Sequence, residues 1–67
     1  MANQPITVTF GTHSYRVIDA SWDSENLQSE VTYEDDNGIQ FTTHGGGMAR
    51  HEIYDAVKQD IFSRLAK

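Results

Sequence analysis

The chain has 67 residues, no Cys and a formal net charge of −5. That length fits one small domain, which buries only about 60% of the surface its unfolded chain exposes. Without Cys there are no disulfide staples and no thiolate metal sites, and a hydrophobic content of 37% is lean for a small core, so stability has to come from close packing, a partner or self-association.

Met1 to Gln4 reads as a loose tail. Ile6, Val8 and Phe10 then alternate with Thr7 and Thr9, the pattern of a strand with one apolar face. Gly11-Thr12 fits a two-residue type II′ turn, whose first position needs a positive φ. That turn pairs Phe10 with His13, Val8 with Tyr15 and Ile6 with Val17, and all the large apolar partners then share a face. The second strand breaks phase. Tyr15 and Val17 are in one register, and Ile18, Ala20 and Trp22 are in the other. A β-bulge near Val17-Ile18 would bring all five to the core side; without it, Ile18, Ala20 and Trp22 line the outer face.

Asp23 to Asn26 reads as a turn, after which Leu27, Val31 and Tyr33 resume alternation against Gln28, Glu30, Thr32 and Glu34. Asp35-Asp36-Asn37-Gly38 is the strongest hairpin signal. A three-residue loop over 36–38, a type I turn with Gly38 in the left-handed region, pairs Tyr33 with Phe41 and Val31 with Thr43 and keeps the faces consistent. The glycines at 45–47 break the chain before a helix over 48–66. On that helix Ile53, Tyr54, Val57, Ile61 and Leu65 share an arc of about 120°, with Phe62 at its rim. The expected fold is α+β: a four-stranded antiparallel meander over 5–44, packed on one face by a single C-terminal helix.

Catalytic and metal chemistry find little purchase. His13, His44 and His51 lack ligand spacing, and no Cys assists them. The glycine run lacks the Gly-Lys-Ser/Thr ending of a phosphate loop. The serines have no nucleophile-elbow setting. The expectation is a non-enzyme with no cofactor and no metal. No apolar run approaches the roughly 20 residues that span a bilayer, and no charged start followed by an apolar stretch marks a secretory leader. A cytoplasmic protein that does not engage membranes is expected.

Charge supplies the outward-pointing feature. Between residues 19 and 36 lie seven acids and no Lys or Arg, whereas the rest of the chain carries five basic residues against three acids. A field of one sign repels nucleic acid and attracts a basic protein surface. The candidate partner-binding set is Asp19, Trp22, Asp23, Glu25, Glu30, Glu34, Asp35 and Asp36, with the carboxylates steering and Trp22 anchoring. Ile18 and Phe62 are secondary contact candidates. Carboxylates on adjacent strands could also imitate a row of phosphates, which directs the expectation to a nucleic-acid-binding partner. In size, acidity and lack of Cys the chain resembles, as a class, small inhibitors encoded by phages and mobile elements, anti-CRISPR proteins among them. That likeness rests on no matched residue pattern and implies an inhibitor or modulator of host machinery. The alternative is a structural homodimer or an accessory subunit of a larger assembly.

Overall fold

The computed structural model describes residues 6–66. The expected tail at 1–4 lies outside them. Four strands form one antiparallel sheet in chain order: β1 (Thr7–Phe10), β2 (His13–Asp23), β3 (Gln28–Glu34) and β4 (Gln40–Gly45). The helix α1 (Arg50–Leu65) packs on one face. The α+β meander expected from the sequence is the observed fold, with β4 running one residue into the glycine run.

Each hairpin follows from its turn chemistry. Gly11 has φ +62 and sets Phe10 opposite His13 and Val8 opposite Tyr15. The Val17 amide donates to the Ile6 carbonyl at 3.0 Å, which extends the pairing by one step. At the far hairpin the Gly38 amide donates to the Asp35 carbonyl and the Asp35 amide to the Ile39 carbonyl. With Gly38 at φ +83, this is the three-residue loop, and Tyr33 faces Phe41 as expected. The Asp35 carboxylate accepts from the amides of Asn37 and Ile39, so it holds that turn together.

The phase break in β2 is a bulge: Val17 opposes Tyr33 while Asp19 opposes Thr32. The extra residue keeps Tyr15, Val17 and Ala20 packed against the core. It does not bury all five apolar residues. Ile18 is 41% exposed, and Trp22, although opposite the buried Ser29, is 46% exposed. The reason is the length of β2. β1 stops alongside the first part of β2, pairing only with His13 to Arg16. The distal corner of the sheet therefore has no neighbouring strand among the described residues.

Leu27 also departs from expectation. It is not a core strand residue but the last residue of the β2–β3 turn, 72% exposed with φ +54. The Asp23 carboxylate accepts from the amides of Glu25 and Asn26 and from the Asn26 side chain, and this lengthens the turn to include Leu27.

The core is Val8, Val31, Tyr33, Ile53, Val57 and Ile61. Of the expected helical arc only Ile53, Val57 and Ile61 are buried; Tyr54 and Leu65 are exposed. The helix approaches most closely where small residues meet. A Cβ on Gly45 would lie 2.9 Å from the Ala56 Cβ and 3.1 Å from the Ser29 Oγ. Ala49 caps the helix, and the Glu52 carboxylate reaches back to the Ala49 amide at 3.3 Å, occupying the space a Cβ on Gly47 would need. Toward the other end, the Tyr33 hydroxyl donates to Asp60 Oδ2 at 2.5 Å, and Arg64 Nε donates to the same oxygen at 3.0 Å. The Arg64 guanidinium lies over the Phe41 ring, 4.6 Å from its centroid.

Candidate functional site

Strand register assigns every acid to a face. Val31, Tyr33 and Ser29 point under the helix, so the residues between them, and their partners across the sheet, point away from it. Asp19, Asp23, Glu30 and Glu34 therefore share the open sheet face. Trp22 lies on the opposite, helix-facing side, at the sheet's uncovered corner. The acidic run and its aromatic anchor are on two sides of one strand and meet only at its end.

The run is also split lengthwise. β2 has 11 residues; at about 3.3 Å per residue it spans some 35 Å. Salt at physiological strength screens exposed charges beyond about 8 Å, so the two ends of the sheet do not act as one field. At the end formed by the β1–β2 and β3–β4 hairpins, the acids have partners. Arg16 Nη2 bonds Glu34 Oε2 at 2.5 Å, His13 Nδ1 lies 3.5 Å from Asp36 Oδ2, and Asp35 is committed to its turn. The other end holds Asp23, Glu25 and Glu30, and Asp19, opposite Thr32, lies mid-strand between them and Arg16 on the same face. Among described strand residues facing away from the helix, Arg16 is the one Lys or Arg, and it sits at the first end.

At the second end Asp23 has a structural role as well. Its hydrogen bonds from Asn26, first the side chain and then the turn amides, hold its carboxyl below the usual range, so it stays charged. Glu30 opposes His44 across β3–β4 and Ser21 across β2–β3. The turn beyond Asp23 presents Glu25 and the exposed Leu27. This end therefore combines Asp23, Glu25 and Glu30 with two exposed apolar side chains, Trp22 and Leu27, and Asp19 lies nearer the bulge on the open face. Leu27 was not anticipated as a contact: its strand-like phase concealed a turn position.

The secondary candidates lie elsewhere. Ile18 sits at the bulge, and Phe62 packs edge-on against Phe10, with ring centroids 6.3 Å apart at the far end of the helix. The histidines are dispersed: His13 at a hairpin, His44 on the open sheet face and His51 on the first turn of α1. Among the described residues, no three His, Asp or Glu side chains converge as a metal set, and no helix is long and apolar enough to cross a membrane. Comparison of the chain with family models, curated proteins and solved structures returns no match.

Proposed function

We propose that this chain is a small, non-catalytic binding protein that docks the distal end of its sheet on a basic protein surface, as an inhibitor or modulator does. The observation that supports it is the joint placement of Asp23, Glu25 and Glu30 with the half-exposed Trp22 and exposed Leu27 at the end of the sheet away from Arg16, with Asp19 on the same face between the two. Carboxylates accelerate encounter with a basic partner, and a large aromatic held at a strand end gives the contact its short-range energy. The geometry favours steering over imitation of a duplex. Asp19 and Asp23 are about 13 Å apart at 3.3 Å per residue, a sparser row than the one charge per ~1.7 Å of double-stranded nucleic acid. The partner's basic surface is one that serves nucleic-acid binding, in keeping with an inhibitor of phage or mobile-element origin.

The test is capture from the native host's lysate, with the captured protein identified and its association rate then followed against salt. Joint reversal of Asp19, Glu25 and Glu30 to Lys slows association by at least about tenfold and flattens its salt dependence. Reversal of Glu34 and Asp36 at the other end changes it far less, per charge reversed. An effect of the Glu34 and Asp36 pair equal to that of the triad, or none from the triad, overturns the proposal. Trp22→Ala raises the dissociation rate and leaves the association rate close to wild type.

A further inference from the structure

A second surface, distinct from that acidic end, lies along β4. Strand order places β4 at the margin of the sheet, and no described strand pairs with its outer side. Sheet margins are normally blunted by charged side chains, Pro or bulges. The six residues Gln40–Gly45 contain no Lys, Arg, Asp, Glu or Pro, and their register with β3 runs without a shift. The margin is thus straight and unprotected. Beside it, between β4 and α1, runs an open groove of about 490 Å³. Thr43, Gly45 and Gly46 form its strand side, and Glu52, Asp55 and Asp60 bring three carboxylates to its helix side. His44 also lines it, and its wall includes no Lys or Arg. Arg64 pairs with Asp60, whereas Glu52, though it accepts the Ala49 amide, and Asp55 have no ion pair among the described residues.

We infer that β4 accepts an extended basic segment of a partner protein as a fifth strand, with alternate Lys or Arg side chains reaching into the groove. Backbone pairing supplies affinity independent of sequence, and the groove selects the side chains at every second position. The carboxylates choose the occupant. A second copy pairing β4 with β4 would set two such acidic walls side by side in a protein already at −5, which charge repulsion opposes. A basic strand removes that repulsion and puts opposite charge against Glu52 and Asp55.

The probe is a blocked seven-residue peptide alternating Thr and Lys, titrated into the isotope-labelled full chain and followed by amide chemical shifts and hydrogen exchange. Shifts concentrate on Gln40 to Gly46 and on Asp55 and Gln59, and β4 amides exchange more slowly. The same peptide N-methylated on its strand-pairing amides keeps its charge and loses its donors; it binds at least about tenfold more weakly, the equivalent of roughly one net backbone hydrogen bond or more. Gly46→Arg blocks the groove without burdening the fold, because a Cβ at Gly46 meets no heavy atom within 4 Å and its backbone lies outside the left-handed region. That variant loses the peptide, whereas the Asp19, Glu25 and Glu30 reversal retains it. Equal binding of the N-methylated peptide, shifts confined to Ile18 to Glu30, or no response at millimolar peptide each overturn the inference. The acidic-end reading stands or falls separately, on its own triad of reversals.

Discussion

Tyr33→Phe tests how the helix is fastened to the sheet. Tyr33 is fully buried, and its hydroxyl donates to Asp60 Oδ2 at 2.5 Å. Burial first, and then the bond to Asp60, push its phenol from 10.0 up to about 12. At about 1.4 kcal/mol for each pH unit, that rise is worth on the order of 3 kcal/mol of preference for the neutral phenol. The sign follows from the direction. The folded protein holds the proton more tightly than the unfolded chain does. The contribution is therefore complete below pH 10 and is lost as pH climbs from 10 toward about 12. Removing the hydroxyl costs about 1.5–3 kcal/mol at neutral pH, the usual worth of a hydrogen bond to a charged acceptor. Arg64 keeps Asp60 paired after the substitution, which places the loss toward the lower bound. Urea unfolding of wild type and variant across neutral to strongly alkaline pH provides the assay, with tyrosinate absorbance reporting ionisation. The stability gap between the two proteins narrows as pH passes 10, closes at about 11 and reverses toward about 12. A gap that stays constant over that range refutes the assignment of the alkaline loss to Tyr33. A double-mutant cycle with Asp60→Asn that gives no coupling refutes the bond itself.

Three further outcomes rest on packing and backbone geometry. Ser29 Oγ is buried and has no hydrogen-bond partner, so Ser29→Ala raises stability by about 1 kcal/mol in thermal unfolding, by relieving a desolvated hydroxyl. Gly45→Val destabilises by about 2 kcal/mol or more, because even its first carbon lies 2.9 Å from the Ala56 Cβ; loss of helix-to-sheet amide contacts by NMR accompanies it. Leu27→Gly raises stability by up to about 1 kcal/mol by relieving φ +54, and the same variant weakens capture of the basic partner if Leu27 is a contact.

Much of the fold is legible in the chain because turns and alternation constrain each other. Gly11 and Gly38 both adopt the positive φ their positions demand, and each fixes a register that the neighbouring apolar residues independently require. The bulge announces itself as a phase change at Val17-Ile18, a local signal needing no tertiary knowledge. The fit of helix to sheet is not legible in this way. Ser29, Gly45 and Ala56 lie on three elements and share no periodic relation, yet their small size lets the helix sit close. Tyr54 and Leu65 fall within the apolar arc and still face solvent, since a single helix on a four-stranded sheet buries a narrow stripe. Leu27 misleads for a different reason. Its spacing from Val31 and Tyr33 is that of a strand, and only the Asp23 carboxylate, collecting three hydrogen bonds, draws it into the turn.

The candidate site shows why a charge run in sequence is a poor guide to a charge cluster in space. Seven acids within 18 consecutive residues look like one feature, but a hairpin folds them back so that the first and last lie toward opposite ends of the sheet. Glu34 and Asp36 then meet Arg16 and His13, which come from outside the run. Asp23 and Asp35 are used to close turns, though a carboxylate accepting amide hydrogen bonds still carries its charge outward. What is left at the end of the sheet away from Arg16 is Asp23, Glu25 and Glu30, with Asp19 between them and Arg16 on the same face. Trp22 joins them because, among the described residues, β1 pairs only with His13 to Arg16 and no strand flanks the distal part of β2. With that side of β2 covered beside Trp22, the corner would offer acids alone, and a solvated rim would account for them. The exposed Trp22 is therefore what gives the acids an apolar companion, and it is the feature to alter if docking is to be abolished while the charge is left untouched.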